Sequence, residues 1–90
     1  MLYMIVERFR DGDAVPVYRR FRDQGRLAPE GLCYVASWVT DDLRRCFQIM
    51  ECEDQQLLAQ WTARWADLID FEIIPVVTSA DAVAAVAFRL

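Results

Sequence analysis

Glu7, Ser37 and Gln48 are polar residues set inside or at the end of apolar runs, and Tyr34, Trp38 and Phe47 are the aromatic residues that accompany them. A carboxylate in the position of Glu7 acts as a base if burial raises its pKa, while a salt bridge at the rim is its simpler use. Ser37 and Gln48 carry a hydroxyl and an amide that orient a ligand or satisfy each other in the interior. Trp38 can stack on a flat ring or pack at an interface between subunits. Glu7, Tyr34, Ser37, Trp38, Phe47 and Gln48 are thus the candidate ligand-binding residues, and none of them is assigned a catalytic role.

What the chain lacks restricts its chemistry more than what it has. It contains no histidine, and all ten of its basic residues are arginine. Ser-His and Cys-His nucleophiles are therefore excluded, as are lysine Schiff bases. Cys33, Cys46 and Cys52 cannot complete a set of internal disulfides and form no C-x-x-C pair, which suits reduced thiols. Cys46 and Cys52 lie six strand positions apart, a span of about 20 Å, so no metal site is expected. No cofactor is expected either, because phosphate loops and metal-ligand spacings are missing. Arg19, Arg20, Arg22 and Arg26 could hold an anion, although a solvated helix face interleaved with Asp23 is the default. Arg64 near Asp67 reads as a surface ion pair of small energetic weight.

The 90 residues are 56% hydrophobic and 27% charged, within the range of one compact domain spanning residues 1–90. Fourteen acids against ten arginines give a net charge of −4. That balance removes the counterion-release force behind nucleic-acid binding, so nucleic acid is not expected as a partner. The charge is uneven, at +1 over residues 1–45 and −5 over residues 46–90. No basic leader precedes the first apolar run, and no apolar stretch is long enough to span a bilayer, so a cytoplasmic location away from membranes is expected.

The elements that must position the candidate residues follow from apolar spacing and punctuation. Residues 2–8 read as a strand, Asp13 as a helix cap and Pro16 as a first-turn proline. The helix runs to about Gln24 with a stripe of Ala14, Val17, Tyr18 and Phe21, and stops at Gly25. Leu32–Thr40 and Arg45–Glu53 read as a hairpin around Asp41-Asp42, which places Ser37 and Gln48 near each other. Asp54 caps a second helix carrying Leu57, Leu58, Trp61, Trp65, Leu68 and Ile69. Phe71–Thr78 is a fourth strand, placed at an edge or bulge by Pro75. Ser79 caps a last helix through Phe88, with a stripe of Val83, Val86, Ala87 and Leu90.

The order β-α-β-β-α-β plus a C-terminal helix predicts an α+β, ferredoxin-like antiparallel sheet with helices on one face. Such a sheet should alternate apolar and polar residues, yet these strands do not. Leu32, Tyr34, Ala36, Trp38, Phe47 and Ile49 are assigned to one face of the hairpin. Cys33, Val35, Val39, Cys46, Met50 and Cys52 are assigned to the other. Both faces are apolar and the chain's own helices can cover only one, which leaves the second for another subunit, a ligand or both.

Several segments carry a resemblance over nearly the whole chain: Glu7-Arg8-Phe9 with Asp11-Gly12-Asp13, Val17-Tyr18-Arg19-Arg20-Phe21, Gly31-Leu32, Tyr34-Val35, Ser37-Trp38-Val39 and Arg45-Cys46-Phe47-Gln48. Trp61, Arg64-Trp65, Asp67, Asp70-Phe71-Glu72 and Pro75-Val76 continue it. Together they resemble a family of short bacterial proteins described as a domain of unknown function. That family is similar to the dimeric α+β barrels, which include antibiotic biosynthesis monooxygenases, muconolactone isomerases and the Dyp-type or stress-responsive barrel proteins. The resemblance implies a homodimer whose two sheets face each other around a cavity, and it brings no catalytic residues with it. Active relatives that use a cavity histidine have no counterpart here, and asparagine is also absent.

Three readings remain. A homodimeric module holding a small apolar or aromatic molecule in the barrel cavity is favoured by the two apolar sheet faces. A structural or regulatory dimer without ligand comes next. A cofactor-free monooxygenase or isomerase rests on fold analogy alone.

Overall fold

A computed structural model describes all residues, 1–90. The strand β1 (Leu2–Phe9) leads through a 3-10 turn into the helix α1 (Val15–Gln24), followed by the hairpin β2 (Cys33–Val39) and β3 (Arg45–Glu51). The helix α2 (Gln56–Ala63), the strand β4 (Ile69–Val76) and the helix α3 (Ser79–Val86) complete the chain. All pairings are antiparallel and the sheet order is β2-β3-β1-β4, which is the ferredoxin-like α+β arrangement. β4 is an edge strand, so Pro75 removes no bond from a central ladder.

Local chemistry explains most boundaries. The Val15 amide donates to Asp13 Oδ1 at 3.0 Å, and the proline at the start of α1 has no N–H to leave unpaired. Gly25 closes α1 at φ 72°, a left-handed value suited to glycine, and its amide donates to the Phe21 carbonyl. At α2 the Gln56 amide donates to Asp54 Oδ1. The last helix is capped by Thr78 rather than Ser79, since the Asp81 amide donates to Thr78 Oγ1 at 3.0 Å.

Three expectations are corrected. The second helix ends at Ala63: Trp65 and Leu68 lie in the following turns, and Ile69 opens β4. Trp65, carried by the turn, and Ile69, carried by β4, still belong to the core. The hairpin faces are also redistributed. A register shift between Tyr34 and Ala36 makes Val35 a bulge residue, so that Cys33 pairs with Glu51 and Tyr34 with Met50. Tyr34 thereby joins Ser37, Cys46, Gln48 and Met50 on the inner face, while Cys33 moves to the outer one with Ala36, Trp38, Phe47 and Ile49. Finally, Asp67 pairs with Arg20 of α1 through two bonds of 2.8 and 2.6 Å, and Arg64 instead donates to the Leu27 carbonyl.

The core lies between the sheet and α1 and α2, built on Tyr3, Ile5, Phe9, Met50, Leu58, Trp61, Trp65 and Ile69. None of the residues of α3 is buried. The radius of gyration is 14.9 Å against about 12 Å for a compact chain of this length. The accessible surface is 6086 Å² against about 5,400 Å². No helix is long and apolar enough to cross a membrane. Ile5 is fully buried in the central strand β1, so Ile5→Ala should lower unfolding stability by about 3 kcal/mol, read from urea denaturation midpoints. A loss under about 1 kcal/mol would place the core elsewhere.

Candidate functional site

Along β1, successive side chains alternate between faces, so Tyr3, Ile5, Glu7 and Phe9 all project beneath the helices. Glu7 is the one charged member of that row, at 6% exposure. Register sets it beside Cys46 of β3 and Phe71 of β4. Gln48, the next inward residue of β3, stands opposite Ser37 of β2 as the hairpin spacing predicts. Above this polar row runs α1, whose Val17, Tyr18 and Phe21 face the sheet without closing down on it.

The result is a cavity of about 240 Å³ between sheet and helices. Its polar lining is Glu7, Arg26, Ser37 and Gln48; its walls are Phe9, Val17, Tyr18, Phe21, Val39, Cys46, Trp61, Trp65 and Ile69. An apolar cavity of about 150 Å³ accepts benzene, so this one has room for a single substituted ring.

Arg26 organises the polar side. Its Nη1 donates to Gln48 Oε1 at 2.6 Å, and its guanidinium lies 3.9 Å above the Tyr34 ring and 5.3 Å from that of Phe21. Its backbone carbonyl accepts from both indoles, Trp61 Nε1 at 3.0 Å and Trp65 Nε1 at 2.9 Å. Tyr34 Oη and Ser37 Oγ share a hydrogen bond of 2.8 Å.

Glu7 makes no side-chain hydrogen bond and no ion pair with Arg26. Burial pushes its pKa up to about 7, with the Arg26 charge acting in the opposite sense. The same burial, together with Glu7, pushes the Cys46 thiol up to about 12, so it stays protonated and is a poor nucleophile. Burial raises the Tyr18 phenol as well. Cys33, Cys46 and Cys52 are all free thiols, and no cluster of carboxylates and thiols is gathered for a metal ion.

The six residues singled out from the sequence divide between the two sides of the sheet. Glu7, Ser37 and Gln48 line the cavity, and Tyr34 borders it through Arg26 and Ser37. Trp38 and Phe47 pair with each other on the outer face, where Trp38 is 62% exposed. Glu7 forms no rim salt bridge, which corrects the simpler of its two expected uses. Arg26, expected among the surface arginines of α1, is instead the cavity's cation. The signal for it was its place directly after the Gly25 stop, where the chain leaves the helix axis and turns back over the sheet.

A family model described as "Domain of unknown function (DUF3303)" matches residues 1–89. The chain belongs to this family. Every segment that carried the resemblance lies inside the matched range, and so does every cavity residue of this DUF3303 chain. No curated protein matches it. Among solved structures, protein Atu4242 from Agrobacterium tumefaciens is similar at 19% identity over 88% of this chain and 96% of that one, with a TM-score of 0.48.

The raised pKa of Glu7 fixes a pH dependence. A carboxyl whose folded pKa lies above its unfolded value of 4.5 stabilises the fold fully below that pH. The contribution is lost as pH rises to about 7. That difference corresponds to about 3 kcal/mol. Glu7→Gln should abolish this decline and leave the variant more stable than the wild type by up to that amount at alkaline pH, as read from urea midpoints across the range. Parallel pH profiles for the two proteins would contradict the assignment.

Proposed function

We propose that this chain is a homodimeric binding protein that holds a small apolar or aromatic molecule between its sheet and its helices. One observation carries the reading: an aromatic-walled cavity large enough for a ring contains a convergent set of polar groups, Glu7, Arg26, Ser37 and Gln48. Of the residues expected to bind ligand, Glu7, Ser37 and Gln48 would orient the molecule and Tyr34 would back Arg26. Trp38 and Phe47 would serve the dimer instead.

A second copy is the occupant that suits the outer face. Met4, Val6, Ala36, Trp38, Phe47, Ile49 and Ile74 form one apolar surface there, while β3 carries Arg45 at one end of it and Glu51 at the other. Two such faces related by a two-fold axis across β3 bring each Arg45 toward the partner's acidic end. The 62% exposure of Trp38 on that face supports the same arrangement. It is the facing of two sheets that the dimeric α+β barrels would show.

A cofactor-free isomerase is the second reading, favoured by the single carboxyl poised near neutrality, since such a group can take a proton from a bound molecule and return it. Lactone isomerisation by the wild type and not by Glu7→Gln would establish it.

Two measurements test the main reading. Nitrobenzene, a neutral flat ring, should quench the fluorescence of Trp61 and Trp65 saturably, and Val17→Phe should weaken that binding by about an order of magnitude by filling the cavity. Unsaturable quenching, equal in both proteins, would remove the cavity as a binding site. In sedimentation velocity the wild type should run as a dimer and Phe47→Arg as a monomer, because a charge without a partner would be buried at the centre of the interface. A monomeric wild type would defeat the dimer.

A further inference from the structure

We propose that the cavity takes a planar aromatic anion, and that a proton enters the site with it and comes to rest on Glu7. This rests on the reading that the cavity binds a small aromatic molecule, and adds to it the charge of the ligand and the number of protons bound.

Two ionisable groups of opposite type face one small space without pairing. The Arg26 guanidinium is a cation that presents five N–H donors in a fixed fork. One of these goes to Gln48 Oε1 and the guanidinium face is taken by Tyr34. Glu7, 6% exposed, has no hydrogen-bond partner for its carboxylate and no ion pair. A ligand is what would complete both.

The other groups packed against Glu7 leave it as the one that switches. Arg26 approaches from the segment after α1, Tyr18 from α1 and Cys46 from β3. β4 contributes Phe71 and the region of α2 contributes Trp61 and Trp65, none of which titrates. Burial holds the Tyr18 phenol and the Cys46 thiol in their protonated forms through neutrality. Below about pH 7 the site therefore carries the charge of Arg26 alone, and above it Glu7 cancels that charge.

When a ring displaces water from the cavity, an ionised Glu7 loses solvation it has no hydrogen bond to replace. The Arg26 cation is left needing an anion. The filled state of lowest cost pairs an anionic head with Arg26 and keeps Glu7 neutral, in which form it donates a hydrogen bond to that same anion. For a ligand arriving as an anion, a solvent proton forms an O–H bond on a Glu7 carboxylate oxygen. For a ligand arriving as the neutral acid, its own O–H bond breaks, the electron pair stays on its oxygen and the proton passes to Glu7. Charge is conserved either way, and no other reactant is needed.

Benzoate and nitrobenzene have the same shape and differ in charge, so titration calorimetry of the wild-type protein with each, in two buffers of different ionisation enthalpy and across neutral pH, separates the terms. Below pH 7 benzoate should bind roughly ten- to hundredfold more tightly than nitrobenzene, the worth of one charge-assisted hydrogen bond. Above it, benzoate binding should take up close to one proton, with affinity falling roughly tenfold per pH unit. Glu7→Gln should keep benzoate binding while losing the proton uptake and the slope, and Arg26→Met should lose the preference for benzoate. Equal affinities for the two rings, or benzoate binding without proton uptake, would overturn this proposal and leave the cavity as a neutral aromatic site. Failure of both rings to bind would overturn the cavity reading along with it.

Discussion

Arg26 is the residue through which four elements of the fold are joined. Its carbonyl gathers the two indole N–H groups that close the far end of α2, its side chain reaches β3 through Gln48, and its guanidinium covers Tyr34 of β2 beside Phe21 of α1. The conformation that permits this is local: Gly25 and Leu27, on either side of it, both hold positive φ, so the chain doubles back at the end of α1 instead of leaving the sheet. An interior carbonyl that accepts two indoles satisfies three buried polar groups at once. The tryptophans can then stand under the sheet as walls, with their polar edges already partnered, and need not pack flat against β1. A second clamp, Arg20 on Asp67 and on the Arg64 carbonyl, holds α1 to the turn after α2 from the solvent side.

That arrangement leaves two sheet faces with different fates. On the inner one, the helices are held at a distance by side chains whose positions are set by hydrogen bonds and by the edge-on contact of Phe9 with Tyr18, ring centroids 6.1 Å apart at 88°. On the outer one Trp38 stays 62% exposed, although Val6 of the central strand is buried among its neighbours. The single row of β3 shows the contrast, since Cys46, Gln48 and Met50 are buried under helices while Phe47 and Ile49 between them are only half covered.

Much of this fold was legible because it depends on short-range signals. Asp13, Pro16 and Asp54 mark the starts of α1 and α2 and Gly25 the end of α1, and the uninterrupted apolar runs of β1 and β4 announced a sheet with two apolar faces. The pairing of Ser37 with Gln48 followed from counting back from the hairpin turn. What could not be read were effects with no local signature. A bulge at Val35 costs one residue of register and so exchanges the faces of Cys33 and Tyr34 relative to strict alternation. The reach of Arg26 is a long-range contact, since Gln48 lies 22 positions away. Helical spacing continued through Trp65 to Ile69 although the helix itself had ended, because a run of turns presented those side chains to the same core.

The cavity itself bears on how the inner face is used. If a space of about 240 Å³ were dry and enclosed, the cost of such a void would be about 6 kcal/mol, comparable with the whole stability of a small domain. Collapse is prevented on one side by the β-sheet, which cannot move locally without breaking its ladders, and on the other by indoles pinned at the Arg26 carbonyl. The void is made tolerable by its polar members: Glu7, Arg26, Ser37 and Gln48 can each hydrogen-bond to water inside it. Replacing those four by aliphatic residues of similar size would remove the cost and fill the core, and the apolar supply of this chain is ample for that. An interior that keeps a buried acid unpaired beside a half-buried cation, with aromatic walls held apart from both, gives up stability at the one place where a ligand would gain most from it.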